Sequence, residues 1–147
     1  MIRCQDIMTT DPDSCYAEST VEEVAQLMKS KNIGSVPIVE SAYSQKLIGI
    51  ITDRDLVIKV IAMKLKPSVT KACQVMTLAP VNCHQNEDID KALQCMEMKQ
   101  VRRIPIVDDF EKLVGIISQA DIVIRLRNPK KTEEVLKEIS RPIRLSA

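Results

Sequence analysis

The sequence contains one phrase twice, "LIGIITDRD" at residues 47–55 and "LVGIISQAD" at residues 113–121. Each copy is an apolar, β-branched run with one glycine, followed by a hydroxyl residue and then by an aspartate three positions later. Such an apolar run predicts a buried strand. The hydroxyl residue predicts that a helix begins directly after it. The phrase therefore predicts the same strand–helix turn at two places in the chain.

The duplication extends beyond this phrase. The segment "DIMTTDPDSC" (6–15) aligns with "QVMTLAPVNC" (74–83) at an offset of 68 residues, and the offset becomes 66 after the loop "SAYSQ". Because insertions are tolerated in surface loops, this loop predicts a turn. A unit of about 60 residues does not comfortably close a core alone, so the two copies are expected to pack against each other.

The spacing of apolar residues predicts the elements of each copy. Two amphipathic helices show the i, i+3, i+4, i+7 pattern, with predicted buried faces formed by Val21, Val24, Ala25 and Met28 and by Ile89, Ala92, Leu93 and Met96. The runs "SVPIV" and "RIPIV" come just before the quoted strands and predict a pair of adjacent strands in each copy. With a weak first strand near residues 81–83 and its counterpart, each copy has the order β-α-β-β-α.

These patterns predict an α/β (α+β) fold in which two repeats pack around a pseudo-twofold axis. Near the C-terminus, Thr132 is predicted to cap a final helix. The predicted segments are repeat one at 4–66, a linker with a short helix at 67–75, repeat two at 76–127, and a C-terminal helix and tail at 128–147.

Composition argues against several classes of function. The formal net charge is +1, and the chain has two Tyr, one Phe and no Trp, so neither a basic surface nor a base-stacking platform for nucleic acid is expected. The N-terminus has no apolar stretch typical of a signal peptide, and no apolar run reaches the length of a membrane span. These features predict a cytoplasmic protein that binds neither nucleic acid nor membrane.

Catalysis and metal binding lack support in the sequence. The single histidine, His84, has no second ligand at metal spacing and is interpreted as structural. Only three glycines are present, and they form neither G-x-G-x-x-G nor a Walker loop. The five cysteines form no C-x-x-C pair and are expected to be reduced. We therefore predict no enzyme, no metal site and no cofactor.

The repeated motifs resemble a known family. "IMT…P", "IGSVPIV" with "LIGIITDRD", then "VMT…P", "VRRIPIVDD" and "LVGIISQAD" are similar to two cystathionine-β-synthase (CBS) domains in tandem, a Bateman module, as in small stand-alone bacterial proteins. The resemblance covers residues 4–126. It implies a regulatory module that binds AMP, ADP, ATP or another adenosyl compound in clefts between the repeats. It also implies assembly into homodimers and an effector protein that reads the bound state.

The hydroxyl–acid pair of each repeat, Thr52 with Asp55 and Ser118 with Asp121, has two interpretations. Such a pair at a helix start is the pattern of a capping box. The same residues suit a nucleotide, since a hydroxyl donates to phosphate and a carboxylate accepts from two ribose hydroxyls. The second interpretation is the one that the family resemblance implies, and the two are compatible. Capping boxes favour Glu or Gln at the third position, whereas both repeats have Asp, and this difference modestly favours the ligand-binding interpretation.

The resemblance also implies further contacts with the ligand. The residues expected around adenine are Thr9, Val36, Pro37 and Ile38 in repeat one, and Thr77, Ile104, Pro105 and Ile106 in repeat two. The alternative is that the apolar residues belong to the core and that the prolines mark edge strands. Arg102 and Arg103, which replace Gly34 and Ser35, either reach a phosphate or form surface ion pairs.

Two classes of function follow from the sequence. In the first, the chain is a ligand-sensing module for adenosyl compounds. In the second, it is a dimerising or partner-binding scaffold with weak or vestigial nucleotide sites.

Overall fold

The apolar β-branched runs form the central strands of two sheets in the computed structural model, which describes residues 1–142. In repeat one, β3 (Ser35–Val39) pairs antiparallel with β4 (Leu47–Thr52), and Pro37 lies opposite Ile50. In repeat two, β7 (Arg103–Val107) neighbours β8 (Leu113–Ser118). The adjacent strand pair predicted from sequence is confirmed in both repeats, and residues 40–46 connect the two strands in repeat one.

Four two-residue strands complete the sheets: β1 (Thr9–Thr10), β2 (Cys15–Tyr16), β5 (Thr77–Leu78) and β6 (Cys83–His84). β2 is parallel to β3 and β6 is parallel to β7, whereas β5 is antiparallel to β4 and β1 is antiparallel to β8. The strand orders are therefore β2-β3-β4-β5 and β1-β8-β7-β6. The sequence predicted β2 and β6 only weakly and did not indicate β1 or β5, because two residues carry no periodicity.

The edge-strand interpretation of Pro37 and Pro105 is wrong. Both prolines are buried in strands that have neighbours on both sides. The parallel partner strand begins only at the next residue, since Cys15 lies opposite Ile38 and Cys83 opposite Ile106. A proline is tolerated there because the short neighbour does not extend far enough to require its missing N–H.

The two amphipathic helices are α2 (Val21–Lys31) and α5 (Ile89–Lys99). Thr20 caps α2 with a capping box, and Asp88 caps α5. The predicted faces are buried with one exception, since Ala25 is exposed. Its counterpart Leu93 is buried, so the same helical position faces the core in only one repeat. A small side chain gains little from burial, and the pattern alone does not distinguish these two cases.

The second helix of each repeat begins where the hydroxyl residue predicts. In repeat one, α3 (Asp53–Leu56) continues as a π-helical segment (Val57–Ile61), whereas repeat two has a regular α6 (Gln119–Arg125). The C-terminal helix α7 (Pro129–Ile139) begins earlier than predicted, because Asn128 rather than Thr132 is its N-cap. Asn128 accepts the Lys131 N–H, and a proline at the first helical position is pre-set for the helix.

The remaining helices, α1 (Cys4–Ile7) and α4 (Ala72–Val75), open the two repeats. Fold class is confirmed as mixed α+β, with two four-stranded sheets and seven α-helices among residues 1–142. Every helix in this part of the chain is too short or too polar to cross a bilayer. Residues 143–147 of the predicted tail lie outside the described residues.

The chain divides into two compact units that differ from the linear repeats. One unit, here called the Thr52 unit, contains Asp13–Pro80 and Phe110–Leu113, and the other, the Ser118 unit, contains Met1–Pro12, Val81–Asp109 and residues from Val114 onward. Each unit thus takes its opening helix and strand from the segment that opens the other repeat in the sequence. The predicted boundaries 4–66 and 76–127 describe the duplication in the sequence. As limits of structural domains they remain a prediction.

Each unit has an aliphatic core. In the Thr52 unit the core includes the inward residues of α2 and β3 with Ile51 and Val60. In the Ser118 unit it includes those of α5 and β7 with Ile117 and Ile122, and it is extended by Val135 and Ile139 of α7. The C-terminal helix therefore packs on the core of the Ser118 unit, in contact with α5 and α6.

Candidate functional site

A cluster of polar groups surrounds the aspartate of the repeated phrase in the Ser118 unit. Ser118 Oγ accepts the Asp121 N–H at 3.3 Å, and the Ser118 N–H donates to Asp121 Oδ2 at 2.9 Å. The Ser118 hydroxyl also donates to Oδ2 at 2.9 Å. The capping box predicted from sequence is confirmed here. It uses one carboxylate oxygen and leaves Oδ1 for other partners.

The second oxygen of Asp121 contacts a residue that is 112 positions away in the chain. The Thr9 hydroxyl donates to Asp121 Oδ1 at 2.8 Å. Thr9 lies in β1, which pairs with β8 so that Thr9 is opposite Ile116. Although Thr9 itself is exposed, Asp121 is only 7% exposed. A nearly buried carboxylate thus lies beside an exposed hydroxyl, which is an arrangement able to receive further hydroxyl donors.

Arg125 connects this carboxylate to the segment before β1. Its Nη1 donates to the carbonyl oxygens of Ile7 at 3.1 Å and Met8 at 2.7 Å, and its Nε lies 3.8 Å from Asp121 Oδ1. A guanidinium has several donors in a fixed fork, so one side chain serves two carbonyls and the carboxylate. Ser118, Asp121, Thr9 and Arg125 are called the Ser118 cluster below.

The Thr52 unit repeats this arrangement with a lysine. Thr52 Oγ1 accepts the Asp55 N–H at 3.1 Å, and the Thr52 N–H donates to Asp55 Oδ2 at 2.9 Å, which again confirms the capping box. Lys59 Nζ lies 3.2 Å from Asp55 Oδ1 and donates to the Val75 carbonyl at 3.1 Å. Thr52, Asp55 and Lys59 are called the Thr52 cluster below.

Arg125 and Lys59 do not belong to the site predicted from the sequence. Both are basic, both stand four residues after the aspartate, and they are 66 positions apart, as are Asp55 and Asp121. That signal was available in the alignment of the two repeats. The carbonyls that they contact lie in distant segments of the chain, so the contacts of the basic residue are known only from the tertiary structure.

The other predicted site residues fall into two groups. Thr9 and Thr77 are exposed in β1 and β5. The other six residues expected around adenine are instead buried, and four of them have no exposed surface: Val36, Ile38, Ile104 and Ile106. Their side chains therefore belong to the cores, which is the alternative that the sequence left open.

The positions before the central strands differ between the units. Arg102 is exposed, Arg103 is half-buried at the start of β7, and the Arg102 carbonyl accepts the Gln119 N–H at 3.1 Å. The equivalent backbone bond in the Thr52 unit joins the Asp53 N–H to the Gly34 carbonyl at 2.9 Å. A Cβ on Gly34 would lie 3.2 Å from Asp53 Oδ2, so this carboxylate lies directly over the glycine.

Three thiols of the Ser118 unit lie together in its core. Cys4 and Cys83 are buried and hydrogen-bonded to each other, and Cys95 is half-buried beside Cys83. The hydrogen bond to Cys4, together with burial, raises the pKa of the Cys83 thiol, and burial raises the pKa of Cys95. All five cysteines are free. The same hydrogen bond lowers the pKa of the Cys4 thiol. Because a thiol with a raised pKa is inert at neutral pH, we assign Cys83 and Cys95 to packing.

Both ring nitrogens of His84 lie close to polar groups of the protein. Its Nδ1 accepts the Asn86 N–H at 3.1 Å, and its Nε2 lies 2.6 Å from Asp109 Oδ1. Among residues 1–142, no group of three or more His, Cys, Asp or Glu side chains is placed to hold a metal ion.

A groove of about 860 Å³ lies along α7, and none of its lining residues belongs to the Ser118 cluster.

The fold and the twice-repeated cluster define a tandem-repeat α+β module. The CBS domain family matches residues 4–62 and 72–128, and the chain belongs to this family. The Bacillus subtilis protein YlbB, which is uncharacterized, is 36% identical over 140 residues, or 95% of this chain and 93% of that protein. Hypoxic response protein 1 of Mycobacterium tuberculosis is 34% identical over 126 residues, which is 86% of each chain.

Two solved structures show the same fold at a comparable level of identity. The crystal structure of hypoxic response protein I, which has two coordinated zinc ions, matches with a TM-score of 0.75 and 34% identity, covering 83% of this chain and 97% of that one. The CBS domain pair of protein MJ0100, in complex with 5′-methylthioadenosine and S-adenosyl-L-methionine, matches with a TM-score of 0.70 and 29% identity. That match covers 86% of this chain and all of the other, 100%.

Proposed function

We propose that this chain is a regulatory module that binds an adenosyl ligand in each unit and catalyses no reaction itself. One observation carries the proposal. In both units a largely buried aspartate keeps Oδ2 in the helix cap and leaves Oδ1 outside it. Asp121 Oδ1 accepts from the distant Thr9 hydroxyl, and Asp55 Oδ1 lies 3.2 Å from Lys59 Nζ. A carboxylate accepts from two hydroxyls at once, which matches the vicinal diol of a ribose. Asp121 and Asp55 are the proposed ribose-binding residues.

The wider environment supports an adenosyl compound. The CBS pair of MJ0100 binds 5′-methylthioadenosine and S-adenosyl-L-methionine. In this chain, the hydroxyls of Ser118 and Thr52 stand at helix starts, where a phosphate or another polar 5′ group finds N–H donors. Because the side chains of β3 and β7 fill the cores, we expect adenine to contact their backbone edges together with Thr9 and Thr77. AMP, ADP, ATP and related adenosyl compounds remain the candidate ligands.

Binding at the Ser118 cluster has a structural route to regulation. A ribose that competes for Asp121 Oδ1 displaces or joins Thr9 and alters the contacts that Arg125 makes with Ile7 and Met8. The ligand thus changes how firmly the segment before β1 is held. A ligand shifts a conformational equilibrium only by its differential affinity for the two states, so an effector protein would read the ordering of this segment.

The experiment that tests the proposal is a thermal-shift and calorimetric titration with AMP, ATP, 5′-methylthioadenosine and S-adenosylmethionine. At 100 times the dissociation constant, a bound ligand should stabilise the chain by about 2.7 kcal/mol. The variant with both Asp55→Asn and Asp121→Asn retains an oxygen for the helix caps but not a carboxylate for the diol, and it should lose this stabilisation. Glu133→Ala, which removes an exposed carboxylate from α7, is the matched control and should respond like the wild type.

Absence of any shift for the wild type, or an unchanged shift in the double Asn variant, would refute the proposed binding site. The second outcome would leave an adenosyl ligand bound elsewhere on the chain.

A second candidate function, dimerisation, is favoured by exposed apolar side chains. The π-helical segment and the residues that follow it expose Val57, Ile58, Ile61, Met63 and Leu65, and Ile61 is 67% exposed. A cluster of large exposed apolar residues typically marks an interaction surface. We propose that a second copy of the chain covers this surface. Ile61→Lys should reduce the mass measured by light scattering from dimer to monomer, whereas Tyr43→Lys, at a fully exposed loop residue, should not. Equal masses for both variants would argue against this interface.

A further inference from the structure

The two clusters differ in the charge of the residues that adjoin the hydroxyl. In the Thr52 unit the position after the hydroxyl residue is Asp53, and its carboxylate lies over Gly34. In the Ser118 unit Gln119 takes the place of Asp53, Ala120 that of Arg54, and Arg102 and Arg103 those of Gly34 and Ser35, so the four positions sum to zero charge in the Thr52 unit and to +2 in the Ser118 unit. The same backbone hydrogen bond joins two of these positions in each unit, at 2.9 Å between Asp53 and Gly34 and at 3.1 Å between Gln119 and Arg102. The positions compared are therefore structurally equivalent.

This difference falls where the 5′ group of an adenosyl ligand would lie. If the ribose diol binds to Asp55 or Asp121, the 5′ carbon extends toward the hydroxyl residue and the first residue of the helix. In the Thr52 unit that direction leads to the Asp53 carboxylate, whose Oδ1 already accepts the Arg54 N–H at 2.8 Å. This bond holds the carboxylate at the helix start, close to the Gly34 backbone.

A phosphate beside such a carboxylate is disfavoured. Two like charges about 4 Å apart repel strongly enough, even at the dielectric of a protein surface, to lower affinity by about tenfold or more. A neutral thioether does not meet this penalty, and a sulfonium cation is attracted. The Ser118 unit has the opposite character, because Gln119 is uncharged and Arg102 and Arg103 stand near the same backbone. Guanidinium groups are well suited to bind a phosphate.

We propose that the two clusters select adenosyl ligands by the charge of the 5′ group. The Ser118 cluster takes a 5′-phosphate, as in an adenine nucleotide. The Thr52 cluster takes an adenosyl compound whose 5′ group is neutral or cationic. This inference rests on the proposed function, since it assumes the ribose pose at Asp55 and Asp121. One chain would then respond to two chemically different adenosyl ligands at the same time.

The test uses AMP and 5′-methylthioadenosine as probes in calorimetric titrations of the full chain. The wild type should bind AMP at one site, and Asp121→Asn should abolish this binding while Asp55→Asn does not. Binding of 5′-methylthioadenosine should instead depend on Asp55. The exchange Asp53→Gln, which copies repeat two, should strengthen AMP binding at the Thr52 cluster by about tenfold or more and raise the AMP stoichiometry from one to two.

Two variants separate charge from shape. Asp53→Glu keeps the charge and should leave the AMP stoichiometry at one. Gln119→Asp places a carboxylate in the Ser118 unit and should weaken AMP binding there by about tenfold, and it tests the inference even if Asp53→Gln impairs folding. The melting temperature without ligand serves as the folding control for each variant.

The outcomes distinguish this inference from the proposed function. Failure of every probe to bind the wild type would overturn the proposed function itself. Equal binding of AMP at both clusters of the wild type would overturn the charge selection alone, as would an unchanged AMP stoichiometry in Asp53→Gln. In both of these cases the adenosyl site would stand.

Discussion

Substituting Gly115 by alanine should destabilise the Ser118 unit through one identifiable overlap. A Cβ at this position would lie 2.4 Å from Met8 Sδ, 2.8 Å from Met8 Cγ and 3.1 Å from Met8 Cβ. Carbon atoms in favourable contact are about 3.5–4.0 Å apart, so the Met8 side chain has to move by about 1 Å. Because the close atoms include Cβ and Cγ, a rotation at the end of the side chain does not relieve the overlap, and the backbone before β1 has to shift.

The expected cost follows from other overpacked cores. Forcing an additional methyl group into a filled site costs about 1–3 kcal/mol. For a chain of this size, each kcal/mol lowers the melting temperature by about 2–4 °C. Urea denaturation followed by circular dichroism measures the loss directly. The Thr52 unit provides a replicate, since a Cβ on Gly49 would lie 2.5 Å from Met76 Sδ and 2.8 Å from its Cγ.

A double-mutant cycle assigns the cost to Met8. In the Met8→Ala background the overlapping atoms are absent, so Gly115→Ala should cost at least about 1 kcal/mol less than it does in the wild type. A change in stability of less than about 0.5 kcal/mol for Gly115→Ala, or an equal cost in both backgrounds, would refute the overlap with Met8 as the cause. If the proposed function holds, displacement of Met8 should also move Thr9 and weaken ligand binding at Asp121.

Two further outcomes are expected. Arg125→Gln should lower the free energy of unfolding by about 1 kcal/mol in urea denaturation, since it removes charge-assisted bonds to two carbonyls from a side chain that is 45% exposed. Arg125→Lys, which copies Lys59, should retain much of this stability. Equal losses in the two variants would contradict a bridging role. Burial and the charges of Glu138 and Glu134 raise the pKa of Glu97, so the folded state holds this proton at a higher pH than the unfolded state does. The stabilising effect of protonation is therefore lost as pH rises through the folded pKa. Glu97→Gln should raise the melting temperature at pH 7 but not near pH 4. A gain of the same size at both pH values would contradict a raised pKa at Glu97.

Local patterns in the sequence predicted much of the secondary structure. The strands of the repeated phrase and the helices that follow them are confirmed, because β-branched runs and helix caps act over a few neighbouring residues. Errors arose where local signals compete. Thr132 and Asn128 are both good N-caps, and Pro129 decides in favour of Asn128 by fixing the first helical position.

The amino-acid sequence by itself determined that the chain is a duplication, that each copy contributes two central strands and two principal helices, and that a hydroxyl–acid pair begins the second helix of each copy. Only the tertiary structure decided what lies around the acid. Thr9 contacts Asp121 across 112 positions, and Arg125 contacts the carbonyls of residues 7 and 8. These partners lie in β1 and in the segment just before it. Because β1 is a two-residue strand without periodicity, no local pattern predicts the exchange of opening segments between the two units. The exchange is specified by long-range strand pairing and by the fit of Met8 against Gly115, which exist only once the chain has folded.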